Sequence, residues 1–194
     1  MWGMSGSPIR SFVAVDVFSP EIVRNVRALQ REIIEAGLVG KAVEPESLHI
    51  TLQFLGEVDP ALLETVKTNL SEVRVRPMRL VIRGVGYFPG GSRINVVWLG
   101  VEDADSTLTE LQREVASRLS RLGFQPDKEF KPHITILRVK SVTNKAGALA
   151  TLRNLASYYV GEVVVNAMKL KKSTLTPQGP IYEDLRVYGA TPSS

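Results

Sequence analysis

Two stretches of the 194-residue chain carry its only histidines. They read SLHITLQFLGEV from Ser47 to Val58 and KPHITILRVK from Lys131 to Lys140. His49 and His133 are each followed by Ile-Thr and a further aliphatic residue. Side chains alternate along a strand, so residues i and i+2 share a face. His49 therefore points with Thr51, and His133 with Thr135, while Ile50, Leu52, Ile134 and Ile136 face the other way. A neutral imidazole takes a proton from water, and an imidazolium returns one to a leaving group. Two such groups on opposite sides of a phosphorus atom can do both in one in-line displacement. The threonine hydroxyls can donate hydrogen bonds to the non-bridging oxygens as charge builds there. No metal is needed for this scheme.

One His-Ile-Thr copy is most simply an ordinary half-buried strand. Two copies are harder to dismiss, because both histidines drawing Ile-Thr by chance is on the order of one in a hundred thousand at these compositions. Two histidines without cysteine or a nearby carboxylate pattern are too few for a zinc site. The chain has no cysteine, which excludes disulfides and thiolate metal sites.

The elements that must deliver these residues are legible in outline. Ser11 to Val17 alternates as a strand. Ser19-Pro20 reads as an N-cap and first helical residue, and Ile22, Val26, Leu29 and Ile33 recur at helical spacing to about Ala36. Gly37 and Gly40 break the pattern. Leu48 to Leu55 reads as a strand, Gly56 to Asp59 as a turn, and Pro60 to Val73 as a helix that Glu57 and Asp59 cap. Strands over Met78–Tyr87 and Ile94–Val101 join through a turn at Phe88–Ser92. A helix over Ser106–Leu122, a strand over His133–Val139 and a helix over Asn144–Leu155 follow. Strands near Tyr159–Asn166, Lys169–Thr176 and Ile181–Tyr188 close the chain, the last two joined at Pro177–Pro180. Pro132 favours extended geometry at Lys131. Mixed hairpins and crossovers predict an α+β class. A long helix before each motif and a shorter one after it predict two pseudo-symmetric lobes, with antiparallel sheets, outer helices and a central groove that carries both His-x-Thr motifs. Residues 1–9 read as a flexible leader and 10–190 as one bilobal domain.

The net charge of +4 and estimated pI of 9.4 modestly favour an anionic partner. No apolar run reaches the length of a membrane helix and no signal peptide opens the chain, so a cytoplasmic location is expected.

With its two motifs, the opening Arg10-Ser-Phe-Val-Ala-Val and the closing Ser173-Thr-Leu-Thr-Pro-Gln-Gly-Pro-Ile-Tyr182, the chain resembles the two-histidine (2H) phosphoesterases. Within them it resembles the LigT-like RNA 2′,3′-cyclic phosphodiesterases, also called 2′-5′ RNA ligases. The resemblance covers nearly the whole chain. It implies a two-lobed α+β fold and hydrolysis of terminal 2′,3′-cyclic phosphates on RNA to 2′-phosphates. It also implies a weak, ATP-independent 2′-5′ ligation in reverse. His49, Thr51, His133 and Thr135 become the catalytic set, and Arg138 matches an arginine that contacts the phosphate. No metal or other cofactor is implied. The expected partner is RNA with a cyclic phosphate end, transfer RNA fragments being one candidate, bound by a monomer. Release of the 3′ oxygen assigns the acid to His49 and the base to His133, although the residues alone permit the reverse. A 2H phosphodiesterase for another cyclic nucleotide or a 2′-5′ oligonucleotide is the alternative within enzymes. A non-catalytic RNA-binding module is the alternative outside them.

Arg138 has opposite parity to His133 and faces away unless the strand ends or bulges. Phe54 stands in the same relation to His49. Phe54, Phe130 and Tyr182 are candidates for stacking on a nucleobase, each with core packing as the plainer reading. Lys131 and the cluster Lys169, Lys171 and Lys172 are candidates for an RNA backbone, with a solvated face as the plainer reading.

Overall fold

The computed structural model describes residues 6–126 and 129–189. Nine strands and four helices follow one another among them. Strand β1 (Ile9–Asp16) leads to α1 (Pro20–Glu35) and β2 (Leu38–Ala42). After a 3₁₀ turn at Pro45–Ser47 come β3 (His49–Val58) and α2 (Pro60–Leu70). The hairpin β4 (Met78–Gly90) and β5 (Arg93–Glu102) precedes α3 (Thr107–Ser120). Then follow β6 (His133–Val142), α4 (Lys145–Asn154), β7 (Tyr159–Val165), β8 (Ala167–Thr176) and β9 (Gly179–Gly189). The expected leader falls largely on residues 1–5, outside the described residues.

The strands form two antiparallel sheets, β3-β1-β8-β9 and β2-β6-β5-β4-β7. Each sheet holds one His-Ile-Thr strand. Helix α1 packs on β7, β2 and β6, with α4 beside it, so both cover the five-stranded sheet. Helices α2 and α3 pack together beneath β3 of the four-stranded sheet. One apolar core runs through both halves, from Val13 and Ile50 to Ile134 and Leu137.

Local chemistry explains the helix ends. The Ser19 hydroxyl accepts from the Ile22 N–H, and Pro20 opens α1. Ile22, Val26, Leu29 and Ile33 are buried on one stripe, each stabilising the fold by about 1.5–3 kcal/mol. Asp59 caps α2 through the Ala61 N–H. Glu57 does not cap it: it lies within β3, opposite Arg10. Asn144 caps α4 through the Gly147 N–H.

Two expectations about β structure need correction. Gly37 and Gly40 do not end ordered structure, because Leu38–Ala42 forms the edge strand β2 against β6. Gly40 is needed there for close backbone approach: a Cβ would stand 2.1 Å from the Arg138 carbonyl oxygen. The β4–β5 turn is also shorter than Phe88–Ser92. Gly90 pairs with Arg93, which leaves only Gly91-Ser92 as the loop and places Phe88 inside the sheet.

Candidate active site

The two histidines open strands that lie in different sheets and approach each other across a groove of about 470 Å³. His49, Thr51, His133 and Thr135 all line it, as the shared parity of each pair requires. Both imidazoles are held in the same way. His49 Nδ1 lies 2.7 Å from the Ser47 carbonyl oxygen, and His133 Nδ1 lies 2.7 Å from the Lys131 carbonyl oxygen. A carbonyl only accepts, so each Nδ1 carries the proton. That leaves Nε2 of each ring as the nitrogen available to take or give a proton in the groove.

Each ring is also backed by aromatics. Tyr182 meets His49 edge-on at 5.1 Å between centroids, and Phe12 lies at 5.2 Å. Phe88 meets His133 edge-on at 5.3 Å, with Trp98 at 6.3 Å. Gly86 admits the Trp98 ring, since a Cβ there would stand 2.3 Å from it. The sequence singles out neither Phe88 nor Phe12. Phe88 reads there as part of a turn, and Phe12 as an ordinary strand position.

Simple parity fails for the residues five places after each histidine, and it fails in the same way twice. In β3 the pairing with β1 shifts between Thr51 and Gln53, so Leu52 is an extra residue. In β6 the pairing with β5 shifts between Thr135 and Leu137, so Ile136 is extra. Each bulge buries two successive side chains, Leu52 with Gln53 and Ile136 with Leu137, and reverses the alternation beyond them. Phe54 and Arg138 consequently both face the groove. Phe54 is 60% exposed, a ring presented to solvent beside Phe12. The Arg138 guanidinium reaches across to the Tyr182 hydroxyl at 3.4 Å, from one sheet to the other.

Other candidates fall elsewhere. Phe130 packs against the core and lines a separate hollow beside α3, because its strand approach points it inward. The Lys131 ammonium is directed to Glu129 at 3.3 Å, away from the groove, and only the Lys131 carbonyl serves the site. Lys169 and Lys171 do not form a track for an anion. Asp16 and Asp184 hold both of their ammonium groups at 2.6–2.9 Å. Lys172 faces Glu183 at 3.4 Å. Burial opposes the charge of Asp184, yet the bonds from Lys169 and Lys171 hold its carboxyl below the usual range. Asp16 stands opposite His49 in the β1–β3 ladder, so this neutral quartet borders the site.

The groove itself is electropositive. Arg10 and Arg138 line it with the two histidines, and no carboxylate does among the described residues. Ser11, Ser173 and Leu175 complete parts of its wall. Burial lowers the His49 pKa from its ordinary 6.5. The Ser47 carbonyl and Asp16 pull it upward, while Lys171 and Arg138 push it down. Among the described residues no three His, Asp or Glu side chains converge as a metal site. No helix among them is long and apolar enough to cross a membrane.

Known proteins share this architecture. A family model described as the 2′-5′ RNA ligase superfamily matches residues 18–170. A relative from Archaeoglobus fulgidus, named RNA 2′,3′-cyclic phosphodiesterase, is 44% identical over 181 residues, 93% of this chain and 99% of its own. A solved structure from Thermus thermophilus superposes with a TM-score of 0.77 at 28% identity, covering 93% of this chain and 97% of its own. Escherichia coli LigT, solved with 3′-AMP, gives 0.73 at 25% identity, covering 96% of this chain and 99% of its own. With its two antiparallel sheets, four helices and the family match over most of its length, the chain belongs to the 2′-5′ RNA ligase superfamily.

Proposed function

We propose that the protein hydrolyses 2′,3′-cyclic phosphate ends of RNA to 2′-phosphates, without a metal, through His49 and His133. The observation that carries this reading is the pair of imidazoles, tied identically at Nδ1, in one groove whose described lining has no carboxylate. The name shared by the relatives supplies the substrate class. The cyclic diester enters with its phosphorus between the two rings. His133 Nε2 takes a proton from water, whose oxygen attacks phosphorus. The bond from phosphorus to the 3′ oxygen breaks, and His49 Nε2 donates its proton there. The 2′ ester remains. Thr51, Thr135 and Arg138 hold the non-bridging oxygens as negative charge grows on them. Phe54 and Tyr182 offer ring faces or edges to the nucleoside. A 5′-hydroxyl in place of water, run in the ligation direction, forms the 2′-5′ bond without ATP.

The lowered His49 pKa alone favours the neutral, proton-accepting form. A bound phosphate anion acts in the opposite sense by Coulomb attraction and charges the ring. An imidazolium held at a low pKa is also the stronger acid once charged. These two effects support the acid role in the substrate complex. Turnover of an oligonucleotide with a cyclic phosphate end, assayed in EDTA, tests the reading. Activity is expected to survive chelation, to follow a bell-shaped pH profile, and to fall by about 10²–10⁴-fold in His49→Ala and in His133→Ala. Binding without turnover by the wild type, or loss of activity in EDTA, contradicts it.

A further inference from the structure

The wall at Arg138 has a second side. Its side chain also lines a smaller cavity of about 70 Å³, which shares Arg138, Pro180 and Tyr182 with the groove. Lys41 of β2, Ser47 and the β8–β9 turn at Gln178-Gly179 enclose the rest. Lys41 stands directly opposite Arg138 in the β2–β6 ladder. Like charges placed opposite one another destabilise a sheet. Elsewhere in the two sheets Arg79, Arg83, Lys169, Lys171 and Lys172 answer such strain with carboxylates. Lys41 and Arg138 form no ion pair among the described residues. Glu44 is the one carboxylate in the cavity wall, and it pairs with neither cation. The Lys41 stem runs along the turn, its Cγ 3.9 Å from where a Gly179 Cβ would stand. Two uncompensated cations across a strand pair, open to a cavity continuous with the groove, form a site for an anion.

We infer that this cavity is a second phosphate subsite, and that it takes the phosphodiester immediately upstream of the terminal nucleoside of an RNA chain. The inference rests on the function proposed above and specifies which RNA ends that site prefers. Paired antiparallel residues have Cα atoms about 5 Å apart. With their long side chains, Arg138 and Lys41 span one nucleotide. Arg138 stands between two consecutive phosphates, and Lys41 meets the upstream one. A nucleoside cyclic phosphate fills the groove alone, whereas a chain end also fills the cavity. The subsite therefore selects RNA termini over free cyclic mononucleotides.

The smallest probe is adenosine 2′,3′-cyclic phosphate with and without a 5′-phosphate. The ratio of kcat/KM between the two is expected to be about tenfold in wild type, the size of one charge-assisted contact. It is expected to fall to near unity in Lys41→Gln, to persist in Lys41→Arg, and to rise in Glu44→Gln. A variant that is merely misfolded lowers both rates and leaves the ratio standing. A wild-type ratio near one, or a tenfold ratio unchanged in Lys41→Gln, overturns the subsite. Calorimetric affinities for adenosine 2′-phosphate and its 5′-phosphorylated form decide the same question without turnover. A protein that hydrolyses neither substrate yet binds the 5′-phosphorylated form more tightly therefore refutes the hydrolytic reading alone.

Discussion

His49 and His133 are held by a small repeated device. In each case the residue two positions earlier supplies a carbonyl to Nδ1, which fixes the tautomer and the ring plane. The strand entry that makes this bond is built differently in the two halves, by the 3₁₀ turn at Pro45–Ser47 and by Lys131-Pro132. The rings then differ in surroundings rather than in attachment. Burial holds the His49 pKa below 6.5. The folded state therefore resists protonation that the unfolded chain accepts. Stability is full above pH 6.5 on this account and declines as pH falls through that value toward the folded pKa. A phosphate ligand in the groove reverses the effect. NMR titration of labelled histidine is expected to place His49 below 6.5 in the free protein and higher with adenosine 2′-phosphate bound. A pKa unmoved by that ligand contradicts the placement of phosphate beside this ring. The candidate tetrad was legible in the sequence because chemistry and parity coincide in His-x-Thr. The aromatic backing was not, since Phe12 and Phe88 reach the rings only through pairing with distant strands.

At the scale of elements, the paired bulges at Leu52 and Ile136 are the decisive feature. They place Phe54 at the rim from one sheet and Arg138 from the other. A regular strand would turn both away. Bulges depend on the partner strand, so counting residues along one strand does not reveal them. The helices were more legible, because their caps and apolar stripes are local: Ser19 and Asp59 fall where the sequence places them. Strand β2 was hidden because Gly40 answers to the Arg138 backbone rather than to its own neighbours. Gly86 has an analogous role beneath Trp98. Gly86→Ala is expected to cost about 1–3 kcal/mol through overpacking and to lower activity by displacing Trp98 and Phe88 from His133. Gly189→Ala, where a Cβ meets nothing within 4 Å, is expected to stay within about 0.5 kcal/mol. Urea denaturation of the two variants checks this, and equal losses contradict the close packing assigned to Gly86.

At the scale of the whole molecule, the fold brings together two half-sites that neither sheet could complete alone. Each sheet brings one imidazole, one hydroxyl and one residue from beyond a bulge. Tyr182 and Arg138 join the halves across the groove. The chain carries a net +4, and the carboxylates around it neutralise Lys169, Lys171 and Lys172 but leave Arg10 and Arg138 facing the groove. That arrangement suits one anionic group held between the lobes. A cyclic phosphate with sulfur in place of the 3′-bridging oxygen tests this arrangement most directly. A thiolate leaves near neutral pH without being protonated, given a thiol pKa of about 8.5. His49→Ala is expected to lose about 10²-fold or more on the oxygen substrate and to regain most of that loss on the sulfur one, while His133→Ala stays impaired on both. If the two variants lose the same factor on both substrates, the histidines do not act as an acid and a base on opposite sides of one phosphorus.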